Sequence, residues 1–239
     1  MRPDARRDSR GAAEYRQWRF ALPPGATDLL LVRHGESMPA REDRPAALVD
    51  GQSDPDLAPE GAEQAGRVAD RLANERIAAI YVTTLRRTAQ TAAPLAERLG
   101  LQPQVVADLR EVGLGEWEGA AFRKHTQERH PLAVRMFTEQ RWDVVPGAEP
   151  LEHFAARVRR GVTDIAAAHP DERVVAVVHG GVIGMILAMA TGAGRFAFTG
   201  ADNGSISQLV VVGDQWLVRR FNDTTHLDPG LTLVPHPLT

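Results

Sequence analysis

Two apolar runs of the sequence each end in a histidine that is followed by glycine. The run 29–32 leads into Arg33 and His34, and the run 174–178 leads into His179. Such an unbroken apolar run is typical of a strand that is buried on both faces of a sheet. In an open α/β sheet, ligands bind just beyond the carboxyl ends of the strands. A guanidinium and two imidazoles are therefore predicted to lie together where α/β folds carry out their chemistry.

Two more charged residues follow predicted strands. Arg87 begins a predicted helix after the apolar segment 77–82, and Glu111 lies in a glycine-rich loop after a short predicted strand at 104–107. A cation at a helix start opposes the helix macrodipole, so its position there indicates a role other than helix formation. We therefore place Arg87 and Glu111 in the same candidate site.

These residue types suit phosphoryl transfer without a metal ion. The guanidinium groups of Arg33 and Arg87 match the oxygens of a phosphate, and His179, if protonated, supplies a third positive donor. A neutral His34 can attack phosphorus through one ring nitrogen while a backbone carbonyl accepts the other N–H. Glu111 is the candidate acid for the leaving oxygen and later the candidate base for water. The sequence shows no metal-ligand cluster, and no cofactor is expected.

The elements that must position these residues alternate between strands and helices. This alternation predicts an α/β fold with a mainly parallel sheet and helices on both of its faces. Helices are expected from about Pro59, from the threonine pair 83–84 as N-cap, over 151–169 and over 181–190, and a hairpin is expected from 205–212 and 215–221. Residues 120–149 are expected to form an excursion over the sheet edge and are a candidate lid.

The boundaries of the fold are set by composition shifts near the termini. One domain is expected over residues 28–225, between an N-terminal tail at 1–27 and a C-terminal tail at 226–239. The first twenty residues mix arginines with acidic residues and contain no apolar signal region, so secretion is not expected. We expect a flexible, solvated tail there.

Overall composition limits the class of protein. Of 239 residues, 43% are hydrophobic and 25% are charged, and the net charge is −3. This balance is typical of a soluble globular protein and argues against nucleic-acid or membrane-surface partners. The absence of cysteine excludes disulfides and thiol catalysis, and no apolar stretch is as long as a membrane span. We expect a cytoplasmic protein that binds a small phosphorylated substrate, and a homodimer is left open.

The segment 31–37, Leu-Val-Arg-His-Gly-Glu-Ser, resembles the signature of the histidine phosphatase superfamily, the phosphoglycerate-mutase-like proteins. Four further segments resemble that family in the expected order: 51–65, 85–92, 109–119 and 178–181. The similarity covers residues 28–222. It implies a three-layer sandwich in which helices flank a mixed, mainly parallel sheet.

The resemblance also implies roles for individual residues. His34 would carry the phosphoryl group, Glu111 would be the proton donor, and Arg33, Arg87 and His179 would hold the phosphate. A further three residues, in segments that approach the phosphate or the substrate, are Ser37, Gln52 and Gly180.

Several arginines receive a simpler interpretation. The same alignment makes Arg86 a solvated neighbour of the phosphate ligand. Four arginines of the segment 120–149 are also interpreted as solvated: Arg123, Arg129, Arg135 and Arg141. One that faced the pocket would bind a second anionic group of the substrate.

Two departures from the family pattern bear on function. The mutases of the family typically carry a Trp-Asn pair after the position of Ser37, where this chain has Met38 and Pro39. Their acid segment usually reads Glu-Arg-x-Tyr-Gly, whereas Glu111 is followed by Val-Gly-Leu-Gly. Both departures favour a metal-independent phosphatase that hydrolyses small phosphate monoesters through a phosphohistidine. The alternatives are a phosphoglycerate mutase and a non-catalytic module that binds phosphate esters. The substrate itself is not indicated, because the variable segment 120–149 would select it.

Overall fold

The structure is a computed structural model. It describes residues 6–7, 13–14, 17, 19–44 and 46–228. Much of the predicted N-terminal tail, and residues 229–239 of the predicted C-terminal tail, therefore lie outside the described residues.

The centre of the fold is a six-stranded sheet. Its strands are β1 (Thr27–Arg33), β2 (Ala79–Val82), β3 (Gln104–Val105), β4 (Arg173–Val178), β5 (Ile206–Val212) and β6 (Gln215–Asp223). The strands lie side by side in the order β6-β5-β1-β4-β2-β3. The pairs β1–β4, β4–β2 and β2–β3 are parallel, whereas β5 runs antiparallel to both of its neighbours. The mixed, mainly parallel sheet and its terminal hairpin are thereby confirmed.

Six helices accompany this sheet. They are α1 (Pro59–Leu72), α2 (Arg86–Leu99), α3 (Ala120–Gln127), α4 (Pro131–Glu139), α5 (Leu151–Ala168) and α6 (Gly180–Thr191). Short 3-10 turns cover Ala107–Leu109, Gly115–Trp117 and Trp142–Val144. Two-residue strands also pair locally, Leu48–Val49 with Gln52–Ser53 and Arg6–Arg7 with Ala13–Glu14.

Alternation along the central strands produces the three layers. In β1, Leu29 and Leu31 pack into a cluster with α5 and α6, whereas Leu30 and Val32 pack into a second cluster with α1 and α2. Successive side chains of a strand point to opposite faces, so an unbroken apolar run supplies both cores at once. The predicted three-layer α/β fold is confirmed.

Residues 114–148 form a lobe with a small core of their own. Trp117, Ala133, Met136 and Val145 are buried there, apart from the two main clusters. Helices α3 and α4 belong to this lobe, which corresponds to the predicted excursion 120–149.

The two ends of the lobe 114–148 are tied together. The Glu149 N–H donates to the Gly113 carbonyl at 2.8 Å, and the Gly113 N–H donates to Glu149 Oε2 at 3.3 Å. Arg157 of α5 then donates to both carboxylate oxygens of Glu149, at 2.7 Å each. The lobe therefore begins and ends at one fixed point on the helical layer.

Two local predictions were wrong. The N-cap of α2 is Leu85, whose own side chain makes no cap hydrogen bond, and the Thr83 hydroxyl lies next to His179 instead. The strand predicted at 104–107 ends at Val105, since the chain turns into the 3-10 helix that begins at Ala107.

Helix α1 starts in direct contact with the turn that follows β1. A Cβ atom added at Gly61 would lie 2.0 Å from the Glu36 carbonyl oxygen, and one added at Gly35 would lie 2.4 Å from the Gly61 carbonyl oxygen. The Glu36 carbonyl also accepts the Ala58 N–H at 2.8 Å. Only glycine at both positions allows the two backbones to meet.

We expect Gly61→Ala to lower the free energy of unfolding by about 1–3 kcal/mol or more, because the added methyl overlaps backbone atoms that cannot move aside. The matched control is Gly66→Ala in the same helix, where an added Cβ meets no atom within 4 Å. That change should stabilise the protein by up to about 1 kcal/mol through helix propensity. Urea denaturation of both variants tests this, and equal midpoints would contradict it.

Candidate active site

The register of two neighbouring strands brings the histidines together. Arg33 at the end of β1 pairs with Val178 at the end of β4, and the strands are parallel. The next residue of each chain segment, His34 and His179, therefore leaves the sheet on the same side. Their ring centroids lie 5.2 Å apart, so the structure brings the two predicted imidazoles into one site.

His34 is held as a neutral imidazole, in which one ring nitrogen carries hydrogen and the other keeps a free electron pair. Its Nδ1 lies 2.7 Å from the Gly35 carbonyl oxygen, which can only accept, so Nδ1 carries the hydrogen. Its Nε2 accepts a hydrogen bond from Arg87 Nε at 3.2 Å. Burial, reinforced by the charges of Arg87 and Arg33, holds the pKa of His34 well below its ordinary value. Nε2 is thus the nitrogen that can attack an electrophile.

The turn that carries His34 is fixed by polar groups from α1 and α2. The Gly35 N–H donates to Thr91 Oγ1 at 2.9 Å, and the Glu36 N–H donates to Gln64 Oε1 at 2.8 Å. On the other side, Asn203 Nδ2 donates to the His34 carbonyl at 2.9 Å. The backbone around the imidazole is therefore anchored from the helical layer of α1 and α2 and from the segment before β5.

Two arginines supply the positive charge. Arg87 is buried and donates from Nη1 to the Ser53 carbonyl at 2.9 Å, and Arg33 donates from Nη1 to the Ala201 carbonyl. Burial lowers the pKa of both guanidinium groups, while the negative charge of Glu111 raises it. An arginine side chain stays charged under all ordinary conditions, so both remain cations facing His34.

His179 would supply a third positive charge only if protonated. Burial and the charges of Arg87 and Arg33 hold the pKa of His179 well below its ordinary value, which favours the neutral ring. Its Nε2 lies 3.0 Å from the Thr83 hydroxyl, and its buried Nδ1 meets no acceptor among the described residues. If Thr83 donates to Nε2, then Nδ1 carries the hydrogen.

Glu111 is positioned at the start of α6. Its Oε2 accepts the Gly181 N–H at 3.0 Å, and its Oε1 accepts the Val112 N–H at 2.9 Å. A Cβ atom at Gly181 would lie 2.5 Å from Oε1, so glycine is required for this approach. The main-chain carbonyl of Glu111 accepts from Gln52 Nε2 at 2.6 Å and from Arg157 Nη2 at 2.7 Å.

The three weaker candidates also lie at the site. Gln52 supports the Glu111 backbone, and its buried Oε1 has no partner among the described residues. Ser37 is buried, and its Oγ lies 3.4 Å from Arg123 Nη2. A Cβ atom at Gly180 would lie 3.4 Å from Arg33 Nε, so the glycine leaves room for that guanidinium.

These side chains open into a cavity of about 770 Å³. We call it the phosphate cavity, and its wall includes Arg33, His34, Gln52, Arg87, Glu111 and Arg123. Arg123 had been interpreted as solvated, but it faces this cavity, and its positive charge helps to lower the pKa of His34. No sequence pattern indicated this position, because the segment 120–149 has no regular apolar period.

Arg86 is exposed, as predicted, and it also forms an ion pair. Its Nε donates to Asp54 Oδ2 at 2.9 Å, and Asp54 Oδ1 accepts the Arg86 N–H at 2.8 Å. The buried Asp54 carboxylate thus lies at the start of α2, where it offsets the two cations and favours the helix macrodipole. This pair fixes the helical turn that carries Arg87.

Metal-ligand clusters and membrane-spanning helices are both absent from the described residues. Those residues contain no group of three or more His, Cys, Asp or Glu side chains arranged to hold a metal ion. None of their helices is both long and apolar enough to cross a bilayer.

The two neutral imidazoles should make the protein less stable in acid. The unfolded chain takes up protons near pH 6.5, whereas the folded chain, with both pKa values lowered, does not. The unfolded state then binds more protons, so stability is lost as the pH falls below that value. Between about pH 7.5 and about pH 5, each histidine should remove up to about 2 kcal/mol of stability. Urea denaturation at the two pH values measures this loss.

The control for that measurement is the exposed His153 of α5. His34→Gln should flatten the dependence of stability on pH, whereas His153→Gln should leave it as in the wild type. An unchanged slope in His34→Gln would show that this imidazole is not kept neutral.

Comparison with known proteins identifies the family. The model of the histidine phosphatase superfamily (branch 1) matches residues 29–224. The chain is 32% identical over 209 residues to a metal-independent phosphoserine phosphatase of Arabidopsis thaliana, covering 84% of this chain and 83% of that protein. It is also 32% identical over 205 residues to phosphoglycerate mutase-like protein 4 of the same plant, covering 84% and 87%.

Solved structures agree with this result. A mycobacterial glucosyl-3-phosphoglycerate phosphatase in complex with inorganic phosphate is 30% identical, with a TM-score of 0.69 over 84% of this chain and 99% of that one. A phosphoglycerate mutase from Bacillus anthracis has a TM-score of 0.71 over 85% and 96%, and at 20% identity it shows the shared fold alone. With its histidines side by side among arginines and its sequence matched almost from β1 to the end of β6, the chain belongs to branch 1 of the histidine phosphatase superfamily.

Proposed function

We propose that the protein is a metal-independent phosphatase that hydrolyses small phosphate monoesters through a phosphohistidine on His34. The observation that carries this proposal is the neutral His34 ring, whose Nε2 accepts from the buried Arg87 in a cavity that Arg33 also lines. A protonated ring could not attack phosphorus, and burial together with the neighbouring positive charges excludes protonation near neutral pH.

In the first step, Nε2 of His34 attacks phosphorus and the bond from phosphorus to the ester oxygen breaks. Glu111, in its acid form, gives its proton to that oxygen, so the alcohol leaves neutral. The Gly35 carbonyl holds Nδ1–H and keeps the ring oriented while positive charge develops on it. Arg33, Arg87 and Nδ1–H of His179 stabilise the phosphoryl oxygens, which is the task that metal ions perform in other phosphoryl transferases.

In the second step, water replaces the imidazole. The Glu111 carboxylate takes a proton from water, whose oxygen attacks phosphorus as the bond to Nε2 breaks. Inorganic phosphate leaves, His34 is again neutral, and Glu111 has returned to the acid form that the next cycle requires. The proton balance therefore closes on one carboxyl group.

The names of the relatives support hydrolysis. A phosphoserine phosphatase and a glucosyl-3-phosphoglycerate phosphatase are both similar to this chain over most of its length. Their substrates are small phosphate monoesters, and a cavity of about 770 Å³ suits a substrate of that size. Such substrates are found in the cytoplasm, which is where we propose that the protein acts.

We expect His34→Ala to lower phosphate release from p-nitrophenyl phosphate by at least about a thousandfold, because the variant lacks the imidazole that attacks phosphorus. The wild type should keep its rate in excess EDTA. Rapid quenching with ³²P-labelled ester should trap an acid-labile, base-stable label on the wild type and none on His34→Ala. His153→Ala, an exposed histidine substitution, is the matched control.

Two results would overturn the proposal. Activity retained by His34→Ala would exclude the nucleophile, and unlabelled enzyme that binds the ester tightly would indicate a binding module. Conversion of 3- to 2-phosphoglycerate with little phosphate released would indicate a mutase instead.

A second expectation concerns the proton donor. Glu111→Gln should slow hydrolysis of glycerol 3-phosphate by about 10²–10⁴-fold, because its alkoxide leaves only with a proton. In kcat/KM, which reports the first step alone, the p-nitrophenyl ester should be slowed far less, since its phenolate needs no proton. Glu116→Gln, an exposed acid in the same loop, is the control. Equal losses in kcat/KM for both esters would show that Glu111 does not act on the leaving oxygen.

A further inference from the structure

A second, smaller cavity opens beside the acid. Its volume is about 90 Å³, and Arg33 and Glu111 belong to the walls of both this cavity and the phosphate cavity. We call it the apolar crevice, because one side is formed by Val112, Leu114, Phe122, Phe137 and Trp142. Its lining also includes Gly180, Gly181, Thr199 and Gly200.

The aromatic side of the apolar crevice is braced from behind. The rings of Trp142 and Phe196 have centroids 4.6 Å apart, Phe137 and Phe196 lie 6.1 Å apart edge to face, and Phe122 and Trp142 lie 6.1 Å apart. Aromatic pairs at such distances attract each other beyond simple burial of area. The crevice is therefore a formed cavity with a stable wall, although its three aromatic rings are only half-buried.

The two cavities differ in the groups they offer. The outer wall of the phosphate cavity carries charged side chains such as Arg41, Asp43 and Arg123. In the part of the chain that the structure describes, the apolar crevice has no charged side chain except the two that it shares with the phosphate cavity. Beside the aromatic and aliphatic wall, a hydroxyl or carboxylate would lose hydration and contact only hydrocarbon, whereas an alkyl group would bury apolar surface there.

The position of Glu111 indicates which part of a substrate reaches the apolar crevice. This carboxyl must touch the ester oxygen, and the substituent on that oxygen must leave the phosphate site along one of the walls next to it. We propose, on the basis of the phosphatase function above, that the apolar crevice binds a short hydrocarbon portion of the substrate's alcohol. The preferred substrates are then phosphate monoesters whose alcohol carries an alkyl group or ring edge near the esterified carbon.

The size of the crevice limits that portion. A molecule of liquid water takes up roughly 30 Å³, so the volume corresponds to roughly three groups of that size. Burial of each methylene should raise affinity about fourfold until the crevice is filled.

The experiment measures binding of methyl-, ethyl-, propyl- and n-butylphosphonate by calorimetry. These probes carry no ester bond, so the measurement does not depend on turnover. The wild type should bind each longer probe about fourfold more tightly, and Phe137→Asn should reduce the gain to below about 1.5-fold per methylene. Phe137→Leu should keep most of the gain, since it leaves the wall apolar.

The control is Val134→Asn, which makes a similar change on an exposed position of the same helix. It should bind the whole series like the wild type, and methylphosphonate should bind equally to all four proteins. An equal affinity of the wild type for methyl- and butylphosphonate would overturn the proposal. So would an undiminished gain in Phe137→Asn. The wild-type series needs no variant, so it decides the matter even if Phe137→Asn does not fold.

Turnover separates this proposal from the phosphatase function. The wild type should hydrolyse n-butyl phosphate with a lower KM than glycerol 3-phosphate, by about tenfold or more. If the wild type binds butylphosphonate more tightly but hydrolyses neither ester, the proposal for the apolar crevice stands and the phosphatase function is excluded. If it hydrolyses both esters with the same KM, the phosphatase function stands and the proposal for the apolar crevice is excluded.

Discussion

The parallel pairing of β1 with β4 is the constraint on which the site depends. Because Arg33 lies opposite Val178, the two following histidines emerge next to each other, and a slip of one residue would turn every side chain of β1 to the other face. The alternating burial of residues 29–32 between two helical layers forbids such a slip. The apolar core therefore determines the distance between two imidazoles that take no part in it. The geometry of the candidate site is a consequence of the strand register that the apolar core imposes.

The chemistry follows from placing neutral rings among buried cations. Solvent exclusion and like charge both oppose protonation, so each lowers the pKa of His34 and of His179. The same cations attract an anionic ester, so one set of charges both keeps the rings neutral and binds the ligand. The Gly35 carbonyl fixes which nitrogen of His34 bears hydrogen, and the Thr83 hydroxyl contacts Nε2 of His179. The proposed nucleophile and the proposed oxyanion donor thus differ only in their neighbours.

The sequence predicts the layers well, because apolar periodicity and the residues at strand ends are local properties. It also brings His34, His179, Arg87 and Glu111 to one edge of the sheet, as the structure does. The charge of His179 could not be predicted, since burial and proximity to arginines are tertiary facts. The ion pair that Arg86 makes could not be predicted either, because its partner Asp54 lies 32 positions earlier in the chain. Arg123 and the aromatic wall belong to an irregular lobe whose packing has no periodic signature.

The reciprocal hydrogen bonds between Gly113 and Glu149 hold the two ends of the lobe 114–148 together. A longer or shorter segment between the same two residues would therefore still form a closed loop, at little extra cost in chain entropy. Glu111 lies just outside this closed loop and keeps its own hydrogen bonds to Gln52 and Arg157. Substrate range could therefore diversify through grafted lobes, in evolution or in the laboratory, while the reacting groups stay where they are.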